Sequence, residues 1–427
     1  MFNSWENARP LGAVAAILLV AWVLSENRRR FPWRLCLGAL AVQAGLVLLL
    51  FAWPAARAAL SGVNGVVDAL AGAADKGAQF VFGYLGGGEA PFAVQPHGAP
   101  PPFIFGFRVL PLILVISALS ALLWHWGVLR WLTRGFGFLF EKSMNLGGAS
   151  ALAVAANIFM GMVESPIVIR AYLDRLSRSE LFLMMVVGLA SVAGSTMAAY
   201  AIILRPVLPD AAGHVLVASI ISAPAGILLA RIIIPETGPQ IAYDHEGGVR
   251  YASAMDAITK GVHDGVMVAV NVAAFIIVFV AFVWLGNAML GLFPDVAGAP
   301  LTLQRIFGFL FAPVAYAIGA PWSEAQTAGA LLGTKLFLTE FIAFIELGAL
   351  PDSEISERTR MIMTYALCGF ANVGSIGIMT GGMTVLMPER RAEIMSLAWK
   401  SLAPGFMATL MTAAIVAALP TAIFAGS

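Results

Sequence analysis

The chain is 427 residues long, 60% hydrophobic and 11% charged, with a mean hydropathy of +0.87, which leaves too little polar surface to cover a soluble globule of that size. Its net charge of +1 is nearly balanced, where nucleic-acid or membrane-surface binding would predict basic clustering, so neither partner is indicated. Cys36 and Cys368 both lie inside hydrophobic stretches and fit small buried packing residues better than a disulfide or a metal site.

A bilayer core takes roughly 20 apolar residues per helix, and the alternation of a membrane barrel is absent, so the expected class is an all-α integral membrane protein. In chain order the candidate spans are 11–25, 36–52, 103–126, 181–204, 213–234, 266–293, 359–387 and 394–424. Residues Met1 to Pro10 carry Glu6 and no basic run, so the first segment is expected to be retained rather than cleaved as a signal peptide. Two further apolar stretches, near 148–172 and 325–348, are interrupted by charge and read as re-entrant helical hairpins. The Pro/Gly-rich stretch 86–102 reads as a loop. Eight transmembrane helices put both termini on one side. Arg28, Arg29, Arg30 and Arg34 follow the first span, Arg130, Arg134 and Lys142 the third, and Arg390, Arg391 and Lys400 precede the eighth; those loops are expected in the cytoplasm, with both termini outside.

An internal repeat organises the rest. Gly137-Phe138-Leu139-Phe140 recurs as Gly308-Phe309-Leu310-Phe311, and each copy precedes an interrupted stretch with one central glutamate, Glu164 or Glu340. Farther on, Gly188-Leu189-Ala190-Ser191-Val192 parallels Gly369-Phe370-Ala371-Asn372-Val373, and Ser179-Glu180 parallels Ser356-Glu357. If each hairpin re-enters without crossing, each unit crosses three times and the second copy is inverted. Inverted repeats with broken segments at matching places are the pattern of secondary transporters, with a site at mid-membrane between the repeats. The expected division is 1–102 as N-terminal scaffold helices and loop, 103–265 as the first repeat with its following loop, and 266–427 as the second repeat.

The chemistry concentrates at the breaks. Glu164 follows Gly161 and precedes Pro166, two helix breakers inside an apolar hairpin. A carboxylate at that depth costs roughly 2.5 kcal/mol or more unless it meets water, a cation or donors, so function outweighs the alternative of a structural pair with Arg170. Glu340 stands at the matching place, with Lys335 as its alternative partner. Two carboxylates at two hairpin tips suit a neutral polyhydroxylated solute. Asn157, Ser191 and freed carbonyls offer neutral oxygens to a small hard cation, whereas ordinary small-residue packing is the plainer account of any single serine or glycine there. His125, His214 and His263 form no cluster and are expected near membrane interfaces. With no phosphate-cradling loop, zinc spacing or paired nucleophile and base, the chain is not expected to be an enzyme or to hold a cofactor.

Over roughly 103–424 these residues resemble the concentrative nucleoside transporters: Asn157-Ile158-Phe159 with Glu164-Ser165-Pro166, Gly333-Thr334-Lys335-Leu336 with Glu340-Phe341, and Tyr365-Ala366-Leu367-Cys368-Gly369-Phe370-Ala371-Asn372 with Gly374-Ser375-Ile376-Gly377. The resemblance implies a homotrimer in a bacterial-type inner membrane, importing nucleosides as a sodium-driven symporter by elevator-like movement of a transport domain against a scaffold. It further implies that Glu340, Asn372 and Ser375 hold the ribose, that Phe370 walls the pocket, and that Glu164 and Thr196 face the base. Asn157 and Ser191, with the carbonyls of Met160 and Val192, are implied as sodium ligands. Where the family shows Gln-Thr before the first hairpin glutamate, this chain has Met162-Val163, which removes two polar groups on the base side. The alternatives are a proton-coupled nucleoside transporter with altered base selectivity and a nucleoside-binding membrane protein that does not transport.

Overall fold

The computed structural model describes residues 4–92, 104–208, 210–238, 241, 250–296 and 298–419. Among them the chain is helical throughout, with one isolated bridge between Val296 and Ala299. In order the helices are α1 Ser4–Val23, α2 Trp33–Ala52, α3 Pro54–Phe82, α4 Phe105–Arg108, α5 Leu110–His125, α6 Val128–Met144, α7 Gly148–Met160, α8 Ser165–Val168 and α9 Arg178–Ala190. Then follow α10 Gly194–Leu204, α11 Ala211–Ile233, α12 Ala254–Leu290, α13 Leu303–Ile318, α14 Trp322–Phe337, α15 Glu340–Ala349, α16 Glu357–Leu367, α17 Val373–Leu386 and α18 Arg391–Ala418.

Among the described residues, six stretches have the length and apolarity to cross a bilayer: Trp33–Phe51, Phe105–His125, Arg178–Leu204, Ala211–Ile233, Ala254–Leu290 and Pro388–Ala418. Of the eight spans expected from sequence, α1 contributes the shorter apolar helix Ala8–Val23, and the seventh is divided into α16 and α17 by the break at 368–372. Residues 93–102 of the expected loop and 420–424 of the last span lie outside the described residues.

The repeat seen in sequence is a repeat of elements. In the first unit a helix carrying Gly137–Phe140, α6, leads into the α7–α8 hairpin, then a broken helix, α9–α10, then α11. In the second, α13 carries Gly308–Phe311, α14–α15 is the hairpin, α16–α17 the broken helix and α18 the last. The chain turns by 115° between α13 and α14, setting the hairpin arm sharply across the helix before it. Serine starts both broken helices: Ser177 accepts from the Glu180 N–H in a capping box, and Ser356 accepts from the Thr359 N–H.

Glycine lets the two broken helices cross. At Gly369 an added Cβ would sit 2.8 Å from the Ala190 carbonyl oxygen and 2.6 Å from Thr409 Cγ2, so only a bare Cα fits, and the Phe370 N–H donates to the Ser191 carbonyl across the crossing. α11 and α18 form the buried centre behind it. By contrast α12 is largely exposed except for a stripe of small residues, Ala257, Gly261, Gly265 and Ala269, four apart on one face. Gly261 and Gly265 meet α5 so closely that a Cβ would come within 2.7 Å of the Ala118 Cα and 2.9 Å of the Leu114 Cα.

α3 is a 29-residue helix absent from the sequence reading, because its alanines, glycines and interspersed charges dilute hydropathy. Those charges are its anchors: Asp75 pairs with Arg108 at 3.3 Å, Asp68 with Arg205 at 2.9 Å, and Asn64 donates to Asp210. Both cysteines are free and buried. His214 stands in the first turn of α11, near the span end as expected, where it is buried, stacked on Phe51 and hydrogen-bonded to the Tyr365 hydroxyl at 3.0 Å.

Candidate functional site

Gly161 ends α7 with φ +98°, and an added Cβ there would lie 2.9 Å from Ala193 Cβ and 3.0 Å from Glu164 Oε2. The turn that only glycine accepts therefore brings the first hairpin tip against the break between α9 and α10. The second tip is made by Leu338 and Thr339, and Thr339 caps α15. Glu340 is the first residue of that helix, where the positive end of the peptide dipoles favours a carboxylate.

Between the two tips and the two breaks lies a cavity enclosing about 830 Å³ of empty space, its open mouth included, in the range of small-molecule sites. Met162, Val163 and Glu164 line it from the first tip, Thr196 from α10, Glu340 from the second tip, and Phe370, Asn372 and Ser375 from the α16–α17 break. The structure thus brings all eight expected substrate-side residues to one cavity. The helix starts of α10, α15 and α17 converge there too, so the positive ends of three helices face the space.

Glu340 is held rather than loose. Tyr200 donates to its Oε1 at 2.8 Å, Asn372 Nδ2 donates to Oε2, and Thr339 donates to Oε2 at 3.4 Å. Asn372 is itself fixed as the cap of α17, accepting from the Ser375 N–H at 2.7 Å. Glu164 accepts from backbone N–H groups of Val163 and its own residue, and the ion pair with Arg170 considered from sequence is not among the described ion pairs. Lys335 does not pair with Glu340 within 4 Å either; its ammonium donates to the Ala366 carbonyl and to Thr409, both at 2.7 Å.

One layer deeper, Asn157 and Ser191 are buried side by side: Asn157 Nδ2 donates to Ser191 Oγ and, at 3.2 Å, to the Val187 carbonyl. Ser165 donates to Asn157 Oδ1 at 3.3 Å, and Ser219 donates to the Val192 carbonyl at 3.3 Å. Met160 ends α7 beside them and lines a second cavity. This cluster offers neutral side-chain and carbonyl oxygens, the donor set a small hard cation takes, without a buried net charge. No group of three His, Cys, Asp or Glu side chains suited to a metal occurs among the described residues.

Sequence reasoning missed three features. Tyr200, the partner of Glu340, follows Thr196 by one turn on α10, and a polar residue at that helical spacing was a usable signal. Val268, Asn271, Val272, Phe275 and Phe279 of α12 form one wall of the cavity, and nothing local marks which face of α12 meets the repeats. The second cavity, with about 550 Å³ of empty space, adjoins the first through Glu164, Ser195 and Val268 and adds Trp124, Tyr251 and Asp264.

Two interrupted repeats crossing in a largely apolar helical assembly, with a polar cavity between hairpin tips, define a multi-pass membrane transport protein. Comparison with known families agrees and is more specific. Residues 12–85 match the N-terminal and 214–417 the C-terminal region of the Na+ dependent nucleoside transporter family, and 106–207 match a nucleoside recognition (Gate) family. The chain is 37% identical to the uncharacterized transporter YutK of Bacillus subtilis, over 95% of this chain and 97% of that protein. It is 34% identical to the nucleoside permease NupC of Helicobacter pylori, over 94% and 95%. A solved structure of CNTnw in an inward-facing substrate-bound state superimposes with a TM-score of 0.87 at 35% identity, covering 96% of this chain and 98% of that one. The chain belongs to the concentrative nucleoside transporter family.

Proposed function

We propose that the chain is a sodium-driven nucleoside importer of the plasma membrane, working by elevator-type alternating access. The observation that carries this is the meeting of two clusters at the crossing of the broken helices: an anchored Glu340–Asn372–Ser375 group of the second repeat facing the cavity, and a neutral-oxygen group at Asn157 and Ser191 of the first, joined where the Phe370 N–H donates to the Ser191 carbonyl. Ribose hydroxyls are good donors, and a carboxylate already oriented by Tyr200 and Asn372 accepts them with little further ordering. Phe370 supplies a face for the sugar or base, while Glu164, Thr196, Met162 and Val163 surround the base side. Of these, Met162 and Val163 contribute contact without hydrogen bonds, so base discrimination rests on Glu164, Thr196 and the α12 wall.

Sodium at Asn157 and Ser191, with carbonyls of Met160 and Val192, braces the first hairpin tip against the α9–α10 break and so shapes the base side. Substrate and ion then favour each other by linkage. Segments 103–265 and 266–427 supply the two inverted repeats; within them α5 and α12, locked by Gly261 and Gly265, act with 1–102 as scaffold, and the hairpins with the broken helices move. The α12 wall of valine and phenylalanine suits sliding, because few polar bonds must break. A homotrimer with both termini outside completes the arrangement.

The test is equilibrium binding of uridine to purified protein at constant ionic strength, exchanging choline for sodium. Sodium must tighten uridine, and uridine must tighten sodium by the same factor. Proton coupling is the second reading, favoured by Glu164, which faces Asp264 across the adjoining cavity with no basic partner among the described ion pairs. Uridine affinity that follows pH and ignores sodium would select it.

A further inference from the structure

Lys335 is an ionisable side chain of the second hairpin for which the transport scheme has no use, and unlike Glu324 and Glu346 of the same hairpin it is fully buried. Its ammonium donates at 2.7 Å to the Ala366 carbonyl and at 2.7 Å to Thr409 Oγ1, and lies 5.3 Å above the Phe406 ring centre. Every one of these partners is a cation acceptor, and no carboxylate lies within ion-pair distance among the described residues. Ala366 is next to the last residue of α16, so the ammonium sits at the negative end of the first half of a broken helix.

The first repeat has the same arrangement with different chemistry. Asn157, on the first arm of its hairpin, reaches the last turn of α9 at Val187 and its cap Ser191, again the C-terminal end of the first half of a broken helix. Behind it α11 contributes Ser219, as α18 contributes Thr409 behind Lys335. Hairpin arm, helix C-terminus and backing helix therefore correspond in the two repeats. In one the side chains are neutral oxygen donors; in the other a positive charge is built into the chain.

We propose that Lys335 is a tethered cation that occupies, in the second repeat, the position a free sodium takes in the first, bracing the second hairpin and Glu340 without a second ion. This rests on the sodium reading of the Asn157–Ser191 cluster. It makes Lys335 a positioning residue: it acts on substrate through the hairpin that carries Glu340, and it fixes how many ions the cycle needs.

The experiment is uridine binding against sodium concentration for the wild type, Lys335→Ser and Lys335→Met in lipid nanodiscs, with choline as replacement. Serine leaves space and an oxygen; methionine fills the space without charge. For Lys335→Ser, affinity at low sodium should fall at least about 10-fold and recover at high sodium, and the sodium slope should rise by about one ion over wild type. Ethylammonium, which replaces the missing Cδ–Cε–Nζ arm, should restore affinity at low sodium. Lys335→Met should be weakened at every sodium concentration with the wild-type slope. If serine does not fold, Lys335→Asn carries the same test. Wild-type affinity in Lys335→Met, or a serine slope equal to wild type with no response to ethylammonium, would overturn the proposal. Because the readout is the increment over wild type, a wild type insensitive to sodium counts against the sodium reading alone, and an unchanged increment counts against the tethered cation alone.

Discussion

Replacing Tyr200 by phenylalanine deletes one oxygen and keeps the ring that stacks on Phe344 at 4.4 Å and meets Phe341 edge-on at 4.8 Å. The lost bond, 2.8 Å to Glu340, is one of three that hold the carboxylate. A hydrogen bond to a charged group contributes about 1.5–3 kcal/mol, and this one exists with or without ligand, so most of the loss falls on the stability of the fold. What reaches affinity is the freedom Glu340 regains, which costs about 0.5–1.5 kcal/mol to remove again on binding, or about a 2- to 10-fold weaker Kd. Glu340→Gln, by contrast, removes the acceptor itself and should weaken uridine by about 10- to 100-fold. Since both act on one group, the double variant should lose less than the sum. Isothermal titration of uridine at saturating sodium, with thermal unfolding alongside, separates the two terms. Unchanged uridine affinity in both single variants would refute the assignment of Glu340 to the ribose.

Met162→Gln combined with Val163→Thr should sharpen discrimination between uridine and adenosine by roughly a factor of five per bond gained, read from competition binding; equal ratios before and after would remove the account of the base side. Gly369→Ala should lower the unfolding temperature through about 1–3 kcal/mol of overpacking, because its Cβ would press on the Ala190 carbonyl and Thr409. At the membrane edge, burial pushes the Glu26 carboxyl up, but hydrogen bonds from Lys400 and Arg178 outweigh it and hold the group below its usual value. A depressed carboxylate contributes stability above the unfolded pKa and loses it as pH falls through the folded value, so Glu26→Gln should be less heat-stable than wild type at pH 7, the gap closing below about pH 4.

The breaks were legible because they are written in residue types with a mechanical meaning. Gly161 and Pro166 announce the first hairpin tip, and the paired Gly188 and Gly369 segments announce the crossing, since glycine alone permits the approach to Ala190 that the fold contains. All eight expected substrate-side residues line one cavity for the same reason: they stand at or just beyond those breaks. What stayed hidden depends on which distant surface a helix meets. α12 reads as an ordinary span, yet it walls the cavity. The partners of His214 in α11, Phe51 and Tyr365, come from distant helices that its own sequence neighbourhood does not name. Hydropathy also overlooks α3, whose aspartates pair with Arg108 and Arg205 from other segments. Lys335 illustrates the limit of local pairing, since five residues from Glu340 it turns instead to Ala366 and Thr409.

The most direct test of the account is uptake of radiolabelled uridine and adenosine into proteoliposomes, comparing an inward sodium gradient with choline at equal ionic strength and with a proton gradient. The account predicts concentrative uptake with sodium, abolished when the gradient is collapsed and when Asn157 and Ser191 are both replaced by alanine. Accumulation driven by protons alone, or no accumulation of either nucleoside in protein that binds them, would contradict it.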